Sequence, residues 1–199
     1  MSLIKICGLM RREDVEAVNM FKPDYAGFVL APSGRRIDFK TALSFRELLS
    51  GDIKSVGVFV NEDRDVVAEY IKEGIIDIIQ LHGNEPEEEV LWYKENFGCP
   101  VIKAVSVKSP LDIMGCRNSL CDYLLLDNGS GGTGKAFDWS HIGGLKRPYF
   151  LAGGLNENNI HEALKLKPFG VDISGGVETD GRKDPEKIRQ IIKMIREKE

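Results

Sequence analysis

Short apolar runs rich in β-branched residues alternate along the whole chain with longer segments whose apolar positions recur every three or four residues. Eight runs read as strands: Leu3 to Cys7, Tyr25 to Leu30, Ser55 to Val60, Ile75 to Leu81, Val101 to Val105, Tyr123 to Asp127, Tyr149 to Ala152 and Val171 to Ser174. Helices are predicted to begin near Arg12, Phe39, Asp63, Glu85, Pro110, Asp138, Asn156 and Asp184. The helical period is plain in Val66, Val67, Tyr70 and Ile71. Asn156 and Asp184 carry short polar side chains suited to capping a first turn. The segment at Asp138 is short enough to be a single turn.

Eight β-then-α units, with no linker, low-complexity stretch or strong internal repeat, predict one domain over residues 1–199. The α/β fold expected is a parallel sheet closed on itself, a (β/α)8 TIM barrel. That fold commonly takes about 250 residues, so a chain of 199 must keep its loops short. An open doubly wound sheet is the alternative. It normally places a glycine-rich turn after the first strand, whereas here only Gly8 follows Cys7.

Strand side chains alternate between faces. Leu3, Lys5 and Cys7 therefore share a face, as do Ile78, Gln80 and His82, and Tyr123, Leu125 and Asp127. The same reading groups Val101, Lys103 and Val105, and Asp172 with Ser174. These polar faces are expected inside the barrel. A buried charge needs a partner, so Lys5 and Lys103 should meet acids there. Ile4, Ile6, Leu124 and Leu126 should pack beneath helices.

Composition narrows the picture. The chain is 42% hydrophobic and 29% charged. At this length roughly 70% of the unfolded surface can be buried, so no disulfide or metal staple is required. A net charge of −4 disfavours nucleic acid as a partner, yet leaves room for an anionic small molecule. No run approaches the ~18 apolar residues of a membrane span, and no signal-peptide pattern opens the chain. Cys7, Cys99, Cys116 and Cys121 fit no zinc spacing with His82, His141 and His161. The expectation is a cytoplasmic protein with reduced thiols, no metal site and no membrane partner.

In a barrel of this kind chemistry sits at the C-terminal strand ends. Two glycine loops occur there. One is Gly153-Gly154 after the seventh strand; the other is Ser174-Gly175-Gly176 after the eighth. Glycine lets backbone N–H groups approach an anion, and barrels of this class often bind phosphate in these two slots. Tight turns alone would also use glycine. Cys7 and Asp127 both end strands on inward faces and could serve as base and acid. Equally, Cys7 could be a small core residue and Asp127 a loop cap. Arg35 and Arg36 follow the second strand. An arginine fork suits a carboxylate, though a solvated basic turn would look the same. His82 is a further strand-end candidate for holding substrate.

Most of these residues lie in segments that resemble the phosphoribosylanthranilate isomerases of tryptophan biosynthesis. The resemblance rests on Lys5-Ile6-Cys7-Gly8, Gly57-Val58-Phe59-Val60-Asn61, Gln80-Leu81-His82-Gly83 and Leu124-Leu125-Leu126-Asp127. It continues in the stretch from Gly131 to Trp139, in Leu151-Ala152-Gly153-Gly154-Leu155, and from Val171 to Glu178. The resemblance implies a cofactor-free Amadori rearrangement of a phosphorylated sugar substrate, by a monomer or a homodimer. It implies Asp127 as general acid, Cys7 as general base, Arg35 (or Arg36, since the loop is one residue short) on the substrate carboxylate, and Asp172 on a sugar hydroxyl. Gly175 stands where the family usually has serine, and Asn128 where it has a small hydroxyl residue. Two other readings follow from the same residues. One is the related histidine-pathway isomerase, which would carry an Asp at the first strand. The other is a sugar-phosphate-binding barrel without catalysis, which would need neither Cys7 nor Asp127.

Overall fold

In the computed structural model, which describes residues 2–129 and 136–197, the apolar runs become eight parallel strands. They are β1 (Leu3–Cys7), β2 (Tyr25–Val29), β3 (Lys54–Phe59), β4 (Ile78–Leu81), β5 (Val101–Ser106), β6 (Tyr123–Asp127), β7 (Tyr149–Leu151) and β8 (Gly170–Ile173). Each pairs with its neighbour in chain order, and β8 returns to β1 to close the barrel. Among the described residues seven helices surround it: α1 (Arg12–Phe21), α2 (Phe39–Leu48), α3 (Arg64–Lys72), α4 (Glu87–Phe97), α5 (Pro110–Gly115), α6 (Ile160–Lys165) and α7 (Pro185–Arg196). Between β6 and β7 the described residues form one 3-10 turn, Trp139–Ile142, as the short segment at Asp138 predicts. No helix of the described residues is long and apolar enough to cross a membrane.

Parallel strands buried on both faces read as continuous apolar runs, and Leu124, Leu125 and Leu126 are each fully buried. Ile4, Ile6, Leu124 and Leu126 pack against the helices, beside Val15, Val18, Ile188 and Ile191. Val56, Ile78, Ile102, Leu125, Phe150 and Ala152 fill the barrel interior. Tyr123 and Phe169 stack at 4.6 Å beneath them, and Tyr25 meets Phe150 edge-on at 5.5 Å. Gly170 makes room for this plug, because a Cβ there would lie 2.5 Å from Phe150. The N-terminal end of the barrel is thereby filled with rings, which leaves the C-terminal end for chemistry.

Four expectations need correction. On β5, Ile102 and Ala104 face inward, so Val101, Lys103 and Val105 face outward. Lys103 finds its acid outside the barrel interior, donating to Glu85 at 2.6 Å and to the Gly83 carbonyl at 3.0 Å. The fourth helix begins at Glu87 rather than near Glu85. The Glu85 carboxylate is instead the acceptor that ties the β3 and β4 loops, taking the N–H groups of Asn61 at 2.7 Å and Gly83 at 2.9 Å. Helix α6 is preceded by Asn159, not Asn156. Asn156 opens a turn three residues earlier, where its side chain accepts from the Asn158 N–H at 2.9 Å. Asp184 does cap α7, accepting from the N–H groups of Glu186 and Lys187. Ile75 lies before β4: its N–H bonds the Tyr70 carbonyl, so its burial belongs to the end of α3.

Candidate active site

A cavity of ≈ 380 Å³ opens at the C-terminal strand ends. Arg35, Asp127 and Asp172 stand in its wall with both glycine loops, Gly153-Gly154 and Ser174-Gly175-Gly176. Arg36 is not part of that wall. Its side chain is exposed, and its backbone bridges to Val29. Cys7 is not in that wall either: it is buried, at 8% exposure, and its carbonyl accepts the hydroxyl of Ser174, which is in the wall, at 2.9 Å. His82 sits beside the acid, with Nε2 3.8 Å from Asp127 Oδ2.

The base candidate is placed by β1. Lys5, two residues before Cys7 on the same inward face, is fully buried and donates to Asp172 on β8 at 2.9 Å. Burial pushes the Cys7 thiol above its ordinary value, and Asp172 adds to that push. The Lys5 and Lys183 ammoniums pull the other way. Burial would lower Lys5, but Asp172 and Cys7 outweigh it and hold the ammonium charged. Gly27 on β2 completes this corner, because a Cβ there would come 2.6 Å from the Cys7 sulfur.

The acid candidate ends β6. Burial raises the Asp127 carboxyl, against the opposing Asn128 N–H at 2.6 Å and the charge of His82. A raised carboxyl keeps its proton to higher pH, as a general acid requires. Burial lowers His82, against the pull of Asp127 and Asp172. The Gln80 amide nitrogen lies 2.8 Å from His82 Nδ1. With that nitrogen donating, the ring proton sits on Nε2, the atom that faces Asp127.

The glycine loops are built for close approach. Gly153 and Gly154 hold φ of 83° and 69°, a region open chiefly to glycine. A Cβ at Gly153 would come 2.7 Å from Asp127 Oδ1, so the loop and the acid share one space. Gly176 is tighter, since a Cβ would sit 1.9 Å from the Leu155 carbonyl oxygen. Gly175 is different: its φ is not positive and a Cβ would meet only Arg35 and Glu178, at 3.8 and 4.0 Å. Lys187, on α7, adds an ammonium to the wall.

Sequence patterns miss several participants. Glu178 accepts from Arg35 Nε at 2.9 Å and Nη2 at 2.8 Å, and from buried Lys183 at 2.6 Å. Burial alone would raise Glu178, but these two cations carry it down to about 2. Gly27, Lys183 and Lys187 lie in no motif that marked them, and only Glu178 fell inside one. Of the stretch from Gly131 to Trp139, Gly131, Gly132, Thr133, Gly134 and Lys135 lie outside the described residues. Asp138 caps the 3-10 turn by accepting from Ser140 at 3.0 Å. All four cysteines are free thiols, and no cluster of His, Cys, Asp and Glu among the described residues could hold a metal ion.

The same architecture and sequence recur in known proteins. A family described as N-(5'phosphoribosyl)anthranilate (PRA) isomerase matches residues 4–194. The N-(5'-phosphoribosyl)anthranilate isomerase of Endomicrobium trichonymphae is 49% identical over 201 residues, covering 98% of this chain and 99% of its own. The crystal structure of phosphoribosyl anthranilate isomerase from Thermotoga maritima superposes with a TM-score of 0.91 at 36% identity, covering 99% of this chain and 100% of its own. A further isomerase structure, in complex with reduced 1-(o-carboxyphenylamino)-1-deoxyribulose 5-phosphate, has a TM-score of 0.84 at 33% identity and covers 97% of each chain. With the match spanning nearly every strand and loop of the barrel, the chain belongs to the N-(5'-phosphoribosyl)anthranilate isomerase family.

Proposed function

We propose that Asp127 and Cys7 act as acid and base in the isomerisation of N-(5-phosphoribosyl)anthranilate to 1-(2-carboxyphenylamino)-1-deoxyribulose 5-phosphate, the tryptophan-pathway reaction of this family. The observation that carries the assignment is one cavity whose wall holds Asp127, Asp172, Arg35 and both glycine loops, with buried Cys7 tied through its carbonyl to Ser174 of that wall. The glycine loops hold the substrate phosphate through backbone N–H groups. Arg35, turned into the cavity, holds the anthranilate carboxylate; Arg36, turned away, does not. Asp172 orients a sugar hydroxyl, and His82 lies beside the reacting ring oxygen.

Asp127 gives its proton to the ring oxygen as the bond from that oxygen to C1′ breaks, and the anilino nitrogen supplies the electron pair that forms the iminium. The Cys7 thiolate then removes the proton from C2′, and the electrons of that C–H bond neutralise the iminium as an enolamine. Tautomerisation yields the ketone and restores both groups. Substrate and product are isomers, so the cycle balances without an oxidant or a nucleotide.

Direct assay with phosphoribosylanthranilate tests this reading. Cys7→Ser and Asp127→Asn should each lower kcat by roughly 10²–10⁴-fold, the usual contribution of a general acid or base. Both should still bind a product analogue. Near-normal turnover in either variant would remove that residue from the reaction.

A further inference from the structure

Arg35 belongs to the loop Pro32 to Arg36, whose other residues are exposed, while its own side chain is only 32% exposed. Its guanidinium is held by two parallel hydrogen bonds to one carboxylate, Nε and Nη2 on the two oxygens of Glu178, at 2.9 and 2.8 Å. A guanidinium has two edges that can grip a carboxylate, Nε with Nη2 and Nη1 with Nη2. Glu178 uses the first. The second takes no further partner among the described residues, and Arg35 stands in the cavity wall, so that edge is open to another carboxylate.

Glu178 is itself fixed from behind. It begins a two-stranded hairpin, Glu178–Thr179 with Arg182–Lys183, in which Lys183 stands directly opposite it. The Lys183 side chain is 1% exposed and donates to Glu178 at 2.6 Å and to the Ser174 carbonyl at 3.1 Å. Two cations around one anion leave this trio with a net charge of +1, so gripping Arg35 with a carboxylate does not cancel its attraction for an anionic substrate. Gly8 is shaped to the same arrangement, because a Cβ there would come 2.6 Å from Arg35 Cδ.

We infer that Glu178, backed by Lys183, is a positioning residue that presents the free edge of Arg35 to the substrate carboxylate and so sets selectivity for a carboxylated aryl group. This rests on the assignment of the carboxylate to Arg35. The advantage is preorganisation: a guanidinium already ordered loses less freedom when the substrate arrives.

The test compares two ligands: reduced 1-(o-carboxyphenylamino)-1-deoxyribulose 5-phosphate and the same molecule without its carboxylate. Binding is measured in the wild-type protein, Glu178→Gln, Glu178→Asp, Arg35→Ala and the Arg35→Ala/Glu178→Gln double variant. Both Glu178 variants should weaken the carboxylated ligand about tenfold and leave the other unchanged. KM for phosphoribosylanthranilate should rise more than kcat falls. The double variant should be no worse than Arg35→Ala alone. If Glu178→Gln and Glu178→Asp keep the wild-type preference, or bind the carboxylated ligand more tightly, Glu178 does not position Arg35 and this proposal falls while the Arg35 assignment stands. If Arg35→Ala keeps that preference, the carboxylate is held elsewhere and both readings fall.

Discussion

A single proton placed on the wrong residue decides how this site responds to pH. The acid must start protonated and the base deprotonated, yet a carboxyl titrates below a thiol. At neutrality the reactive combination is therefore a minor state of the pair. Its population rises with pH until Asp127 titrates, stays level, and falls once Cys7 titrates. Burial raises both groups, Asp127 from 3.8 and Cys7 from 9.0. The kcat/KM profile should accordingly climb through a pKa above 3.8 and descend through one above 9.0. A descending limb near pH 7 would mean that another group, not the Cys7 thiol, limits the reaction. The level part of the profile should drop if Lys183 is replaced by Met, since that ammonium is one of the two charges stabilising the thiolate.

At the level of elements, the loop after β8 makes opposite demands on adjacent glycines. Gly176→Ala forces a methyl group to within 1.9 Å of the Leu155 carbonyl, so backbone must move. Overpacking of that kind costs about 1–3 kcal/mol, and inorganic phosphate should bind more weakly. Gly175→Ala meets nothing nearer than 3.8 Å, and its melting temperature and phosphate affinity should stay close to wild type. Equal losses in both variants would show that the loop needs flexibility rather than space. The elements themselves were largely readable from the chain. Strands buried on both faces leave unbroken runs such as Leu124 to Leu126, and Asp184 announces α7 as a cap. The face of β5 was not readable, because Lys103 in an apolar run looks like a polar interior position until Glu85 is seen to reach it from the preceding loop. Asn156 and Asn159 are the same residue type three positions apart, and only the chain's path distinguishes them. The clasp of Arg35 by Glu178 spans 143 residues. Nothing local marks such a pair, whereas Gly153-Gly154 advertises itself by composition alone.

Across the whole molecule, that clasp ties the loop after β2 to the segment after β8, beside the seam where the barrel closes. Glu178 titrates at about 2 here against 4.5 ordinarily. A carboxylate whose pKa is depressed by folding contributes stability fully above its unfolded value, and the contribution fades as pH falls toward the folded one. The stability gap between wild type and Glu178→Gln, measured by denaturant unfolding, should be widest above about pH 4.5 and close as pH falls toward about 2. A gap independent of pH would show that Glu178 supports the fold by packing alone. The aromatic plug at the N-terminal end has a different consequence. With Tyr123, Phe169, Phe150 and Tyr25 filling that end, the barrel is a vessel with one mouth. Whatever enters must leave by the way it came. Product and the next substrate cannot pass one another, so each departing molecule holds the door against its successor. Traffic through the site is single-file.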